Sequence, residues 1–270
     1  MNDTEYAYLC DFLKDRSGLS IGSSKRYLVE ARLVPIAQSS NLAHLSDLVA
    51  HLRRGRNENL AVAVTEAMTT NETSFFRDRL PFEELKKVML PDLIEDRKVC
   101  HSLRIWSAAS STGQEAYSIA MALKDSLPNV DCWRIEIVAT DIAQNILDRA
   151  KQGEYSQLDV QRGLQAKQLV LYFDKTESGF KVKSELQRLV TWEQLNLLDD
   201  FSHLGKFDIV FCRNVLIYFE VADKSDILGR IRSQMADDGY LILGAAETVI
   251  GLSDRFDRYQ PCRSAVYAPV

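Results

Sequence analysis

The sequence predicts an open parallel α/β sheet with helices on both faces, preceded by a small all-α N-terminal domain. Three observations carry this. Residues 1–70 show helical periodicity only. From about residue 100, apolar strand-like runs alternate with helical patterns, which implies a doubly wound parallel sheet. Between the two, residues 78–100 read as a helical stretch bracketed by Pro81 and Pro91. At 270 residues and 46% hydrophobic composition, the chain is long enough for a small and a medium domain.

The elements follow in order. Tyr6, Leu9 and Leu13 repeat at helical spacing behind a cap at Asp3 or Thr4, and Gly18 stops that run. A second helix is expected from about Ser24 to Gln38, with Pro35 weakening its last turn. Leu45, Leu48, Val49 and Leu52 mark a third helix, and Leu60, Val64 and Ala67 a fourth. LRIWSAA at 103–109 is the first strand, followed by a helix from about Gly113 to Leu127 that Pro128 ends. WRIEIVATD at 133–141 alternates as a second strand. Ile142, Ile146 and Ala150 then repeat on a helix closed by Gly153. FDIVFC at 207–212, a helix over about 222–235 and YLILG at 240–244 complete the alternation. CRSAVYAPV at the C-terminus reads as an added antiparallel strand. Between Tyr155 and Trp192 the pattern breaks, and GFKVKSEL and RLVTWEQL read as an excursion from the main sheet.

Composition excludes several classes. A net charge of −5 argues against general nucleic-acid or anionic-membrane binding. No apolar run approaches the roughly 18–20 residues of a membrane span, so no membrane insertion is expected. The N-terminal stretch is polar and acidic, unlike a secretory signal, and the five cysteines are scattered and odd in number. The expectation is a reduced, cytoplasmic protein without a disulfide framework. The four histidines form no short ligand pair and no two cysteines stand two to four residues apart, so no metal site is expected.

Ligands of open parallel sheets bind past the carboxyl ends of the strands. The first such loop, Ser107-Ala-Ala-Ser-Ser-Thr-Gly113, is rich in small residues but holds one glycine, so it lacks the glycine pattern of a pyrophosphate cradle. It reads equally as a tight packing turn. The second strand ends in Asp141, suited to accept hydrogen bonds from ribose hydroxyls or to cap the next helix. A small-residue loop without a phosphate cradle, beside a ribose acid, points to a nucleoside without phosphates, such as S-adenosylmethionine. Two further segments are crowded with polar and aromatic groups, residues 68–78 and residues 211–219. The first also reads as a capped helix end with an aromatic staple, the second as a buried strand that runs on, with Arg213 paired to an acid. Cys212 beside Arg213 reads as a buried strand thiol.

TTNETSFFRD, RIWSAASSTGQEAYSIAM, ATDIAQNILDRAKQGEY and FDIVFCRNVLIYF, in this order and spacing, closely resemble the CheR family. These are S-adenosylmethionine-dependent methyltransferases that esterify glutamates of bacterial chemoreceptors. The resemblance covers about residue 5 to residue 268. It implies a helical domain over 1–78, a linker over 79–100 and a cofactor-binding domain over 101–270. That domain would be a Rossmann-like methyltransferase sheet with a small antiparallel β-subdomain at about 155–192. Carried over residue by residue, cofactor contacts fall on Asn71, Thr73, Arg77, Glu115, Asp141, Asn196, Leu197, Arg213 and Asn214. Arg77 and Tyr218 match the family's arginine and tyrosine near the departing methyl group, and S-adenosylhomocysteine would be the product.

The implied partner is the cytoplasmic helical domain of methyl-accepting chemoreceptors, whose acidic methylation helices would dock on a basic surface. Within residues 25–56 there are six basic against two acidic side chains, and Lys25, Arg26 and Arg32 are the expected docking residues. The stretch Tyr172–Phe180 is compact and resembles members that do not tether to a receptor's C-terminal pentapeptide, so no such tether is expected. Two rival readings remain. One is a methyltransferase of another substrate, weakened by the absence of an N-P-P-Y motif after FDIVFC. The other is a non-catalytic module that binds the cofactor and signals by interaction.

Overall fold

Asn2, one residue ahead of the expected position, opens the first helix in the computed structural model, which describes residues 1–127 and 130–270. Its side chain accepts the Glu5 N–H at 2.9 Å while Glu5 accepts the Asn2 N–H at 2.8 Å, a reciprocal box that satisfies two orphan donors. Helix α1 spans Asp3–Ser17 and ends on Gly18, whose left-handed φ of 70° lets its N–H reach the Lys14 carbonyl. Helix α2 spans Arg26–Ser39 and runs through Pro35. Helices α3 (Leu45–Arg53) and α4 (Glu58–Met68) follow, α4 capped by the Asn57 side chain on the Leu60 N–H. Leu9, Leu13, Val29, Leu33, Leu48 and Val64 form the fully buried centre of this bundle. Leu9, Leu13, Leu48 and Val64 are among the residues whose helical spacing the sequence displays, because an amphipathic helix buries its one apolar stripe.

This compact unit comprises Met1–Thr70 together with Tyr218–Asp223. The later segment joins through the Ser20 N–H, which donates to the Tyr218 carbonyl at 3.0 Å, and through the Lys14–Glu220 ion pair at 2.9 Å. The Phe219 ring lies against Gly18, where any β-carbon would overlap it.

The second unit comprises Asn71–Ile217 and Lys224–Val270, so residues 71–78 and 79–100 both lie in it. Its first helical stretch is continuous: α5 (Leu80–Glu84), a π turn (Leu85–Met89) and α6 (Leu90–Asp96). The π turn precedes Pro91, which lacks an N–H and crowds the preceding turn. The Leu90 N–H reaches back five residues to the Leu85 carbonyl, and the widened turn takes up the proline without breaking the helix.

The main sheet is built from β1 (Ser102–Ala108), β2 (Arg134–Asp141), β6 (Val190–Gln194), β7 (Phe207–Cys212), β8 (Met235–Leu243), β9 (Phe256–Arg258) and β10 (Val266–Pro269). A second sheet uses β3 (Glu154–Tyr155), β4 (Phe173–Lys175) and β5 (Phe180–Val182). The helices of this unit are α7 (Gln114–Ser126), α8 (Gln144–Gln152), α9 (Gln157–Gln161), α10 (Ala166–Tyr172), α11 (Ser184–Gln187) and α12, which begins in the first unit and spans Val221–Ser233. Pro128, expected to stop the helix that is α7, lies outside the described residues.

The main sheet runs β6-β2-β1-β7-β8-β10-β9. Its first five strands are parallel; β10, the C-terminal strand the sequence marks, pairs antiparallel with β8 on one side and with β9 on the other. From β1 the chain builds outward to β2 and β6, then crosses back to β7 and β8, so strand order reverses between β1 and β7. Within 155–192 the structure redraws the expected excursion. Only β3, β5 and β4 form the separate antiparallel sheet, while Val190–Trp192 belong to β6, paired with β2 from Ile137↔Val190 onward. β8 starts five residues before the expected strand, and β9 has no periodicity signal at three residues' length.

Candidate functional site

The parallel strands end in register at one edge: Ala108 of β1 pairs with Thr140 of β2 and Cys212 of β7, Asp141 with Gln194 of β6, and Cys212 with Leu243 of β8. The loops that leave this edge carry most of the expected site residues. After β1 the chain turns sharply. Ala109 and Ser111 take left-handed φ of 55° and 52°, and Gly113 opens α7 at 91°. A β-carbon at Gly113 would lie 2.8 Å from the Trp192 ring and 3.0 Å from the Tyr155 hydroxyl, so the one glycine of the loop is required by both dihedral and space.

Asp141 is 5% exposed and fixes that loop. Its Oδ2 accepts the Ser111 N–H at 2.9 Å and its Oδ1 the Ala143 N–H at 3.1 Å. Ala143 holds the N-cap position of α8 and has no side-chain cap, so Asp141 stands two residues ahead of the place the capping reading gives it. The Asp141 carbonyl accepts the Leu195 N–H at 2.9 Å, which draws the following Asn196-Leu197 pair to the end of β2. There Asn196 Oδ1 accepts the Leu198 N–H at 3.1 Å and Leu197 is buried. On the other side, the Ser111 hydroxyl donates to the Asn71 carbonyl at 3.0 Å.

The segment from Asn71 is anchored by its two phenylalanines. Phe75 packs edge-on to Tyr155 and Phe173, and Phe76 to Phe82, which stacks on Phe211 of β7. The two phenylalanines thus pack into the core of this α/β unit, while the helix that follows opens at Arg79 without a side-chain cap, so the capped helix end read from the sequence is not what forms. Phe76, Asp78 and Arg79 have positive φ, a run of non-glycine left-handed residues that costs energy and persists only under strong constraint. Thr73 and Arg77 are half-buried, and Arg77 donates to the Glu72 carbonyl at 2.8 Å.

Arg213, just past β7, has a side chain only 1% exposed. Its guanidinium pairs with Glu115 of α7 at 2.9 Å and with Asp78 at 2.7 Å, and also donates to the Arg77 carbonyl at 2.9 Å. Glu115 accepts the Ser107 hydroxyl at 2.8 Å with its other oxygen. The reading of an arginine paired to an acid thus holds, with two acids rather than one. Cys212 is fully buried, and burial, with Glu247 and Glu115 nearby, pushes its thiol well above the ordinary range.

Asn214 has φ 58°, and its N–H donates to Glu247 at 2.7 Å. Tyr218, by contrast, belongs to the first unit with Lys25, Arg26 and Arg32. In that unit Arg26 pairs with Asp3 at 2.5 Å and lies over the Tyr6 ring. Arg32 donates to the Met68 and Thr69 carbonyls at 2.7 and 2.9 Å, closing the C-terminus of α4.

Sequence reasoning did not single out Ser107, Ser111, Asp78 or Glu247 individually. The two serines sit inside the small-residue loop already marked as the ligand loop. Glu247 had a fainter signal, a lone acid among small residues in LGAAETV past a strand end.

The residues present fit a nucleoside methyl donor. Among the described residues, the buried Ser110 Oγ in the β1–α7 loop and the buried Arg213 Nε have no hydrogen-bond partner. Buried polar groups without partners mark places where a polar ligand can complete the bonding. No lysine or arginine lies within 105–115, in keeping with a ligand that carries no phosphate.

Residues 71–264 match the family model described as CheR methyltransferase, SAM binding domain, and residues 4–69 match that described as CheR methyltransferase, all-alpha domain. Chemotaxis protein methyltransferase 1 of Vibrio cholerae is 42% identical over 265 residues, covering 95% of this chain and 94% of its own. Chemotaxis protein methyltransferase 1 of Pseudomonas aeruginosa is 43% identical over 261 residues, with 95% and 94% covered. Chemotaxis protein methyltransferase Cher2 of Pseudomonas putida is 42% identical over 260 residues, again with 95% and 94% covered.

Proposed function

The chain belongs to the CheR methyltransferase family, and from that membership we propose that it methylates glutamate side chains of bacterial chemoreceptors, forming glutamyl methyl esters. It is an S-adenosylmethionine-dependent chemotaxis methyltransferase by family. The receptor glutamate as acceptor and the roles of individual residues are our reading.

The observation that supports it best is the hydrogen-bonded frame at the strand edge. Asn71, Ser111 and Asp141 are linked on one side, and Glu115, Arg213 and Asp78 on the other. In our reading Asp141 accepts the ribose hydroxyls, Asn196 and Leu197 flank the adenine, and Asn71, Thr73, Glu115, Arg213 and Asn214 line the remainder. When bound, S-adenosylmethionine supplies a methyl group on a positively charged sulfur. The receptor carboxylate forms the new C–O bond as the S–C bond breaks, leaving the methyl ester and S-adenosylhomocysteine.

A glutamate with an ordinary pKa of about 4.3 is already ionised at neutral pH, so the chain need not move a proton. Its tasks are alignment and exclusion of water. Arg77 and Tyr218 would orient the carboxylate by hydrogen bonds; tight ion pairing would blunt it, so orientation rather than activation is the role assigned. Docking on the acidic receptor helix falls to Lys25, Arg26 and Arg32. The turn between β4 and β5 is closed by the Thr176 N–H on the Gly179 carbonyl at 2.9 Å, which supports a compact hairpin and methylation without a pentapeptide tether.

Receptor-containing membranes, the purified chain and methyl-labelled cofactor test the reading. We expect label on the receptor that is released as methanol by mild base. Label that resists base would mean another acceptor atom, and cofactor binding without any transfer would favour the non-catalytic alternative.

A further inference from the structure

Glu247 lies just past β8 and is 7% exposed. Its carboxylate is met by backbone donors: Oε2 accepts the N–H groups of Asn214 and Gly244 at 2.7 Å each, and Oε1 those of Val215 and Ile217 at 3.0 and 3.2 Å. Three of these four donors belong to the loop after β7. Successive backbone N–H groups turned toward one point make an anion-binding concavity, and here the anion is the protein's own. Asn214 supplies the required turn through its left-handed φ of 58°.

Gly244 completes the mould. A β-carbon there would lie 2.6 Å from Glu247 Oε2 and 2.7 Å from Asn214 Nδ2, so a larger residue would expel the carboxylate or the loop. The loop held in this way begins with Arg213, which binds Glu115 and Asp78, and its last clamped N–H is that of Ile217, next to Tyr218. The frame on Asp141 is fixed by different bonds, those of Ser111 and Ala143.

We propose that Glu247 is a positioning residue for methyl transfer, holding the 213–217 loop in its reactive shape through the backbone N–H groups of Asn214, Val215 and Ile217. This rests on the methyltransferase reading above. Its action is on the loop that carries Arg213 and Asn214 and not on the ribose end of the site, since none of its bonds given above touches the Asp141 frame.

Glu247→Gln is the sharp test. The amide keeps size and shape but turns one of the two acceptor oxygens into a donor, so two of the four N–H groups lose their partner. We expect kcat for receptor methylation to fall at least tenfold while the Kd for S-adenosylhomocysteine, read by calorimetry, rises by a clearly smaller factor, since Arg213 and Asn214 line only part of the cofactor site. Amide hydrogen exchange should rise in the peptide covering 213–217 and not in that covering 107–115. Gly244→Ala should reproduce the pattern with the charge intact. A kcat within twofold of wild type, or equal loss of kcat and product affinity, or exchange that rises throughout the unit, would each overturn the proposal. Failure of the wild-type chain to methylate receptors at all would instead overturn the assigned reaction, leaving the exchange result for Glu247 still readable.

Discussion

Arg77 is held at one end only. Its guanidinium donates to the Glu72 carbonyl, while the buried Arg213, which reaches the Arg77 carbonyl, is bound on three sides. That contrast separates their tasks. Arg213 is a strut whose removal would leave Glu115, a buried carboxylate, without its cation; Arg77 keeps donors to spare for a substrate carboxylate. Arg77→Ala is therefore expected to lower the rate of methyl transfer by roughly 100-fold or more, as lost alignment can, with the thermal midpoint little changed. Steady-state methylation of receptor membranes checks this, and near-wild-type turnover would remove the assigned role. The candidate residues were legible because they sit in short, dense motifs at strand ends. Glu247 was not, because its partners are backbone N–H groups, which leave no trace in side-chain pattern. The same holds for Asp141, whose sequence context announces an acid at a strand end but not that it locks the Ser111 loop.

At the level of elements, long regular segments are readable and short or interrupted ones are not. The apolar stripes of α1 to α4 and the run of β7 follow from periodicity alone, whereas β9 and the two-residue β3 are too short to show any. β6 was assigned to the excursion because its neighbour β2 is distant in sequence and only the sheet register reveals the pairing. Pro91 misleads in the other direction: it marks a boundary of the helical stretch in sequence, yet the π turn carries the helix past it. Pro35 stands inside α2, as its sequence indicates, with Ala37 still buried beyond it. An interior helical proline costs about 3 kcal/mol, while the stiffer unfolded chain returns no more than about 1 kcal/mol. Pro35 is exposed, so Pro35→Ala should stabilise the chain by ~1–2 kcal/mol, seen as a higher urea midpoint with an unchanged slope. A midpoint that stays or falls would show that α2 has already adapted to the proline.

Over the whole molecule, the net charge of −5 conceals an uneven distribution. The six basic residues of 25–56 are not equivalent: Arg32 is spent on the carbonyls of α4, while Lys25 is exposed. Charge reversal at Lys25 and Arg26 together should raise the KM for receptor membranes about tenfold at low salt and much less at 0.3 M, with kcat unchanged, because exposed charges steer association and are screened. An unaltered KM would take the docking role from this helix. Sequence alone gave the two-part organisation but not its weave, since contacts between distant stretches leave no local pattern. The return of Tyr218–Asp223 to the helical unit has a consequence for protein engineering. Severing the gene between codons 70 and 71 would yield no self-sufficient half: the shorter polypeptide would lack Phe219, the plug beside Gly18, and the longer would carry that plug with nowhere to seat it. The two pieces are thereby suited to recognise one another, as a split pair that regains its fold by reassociation.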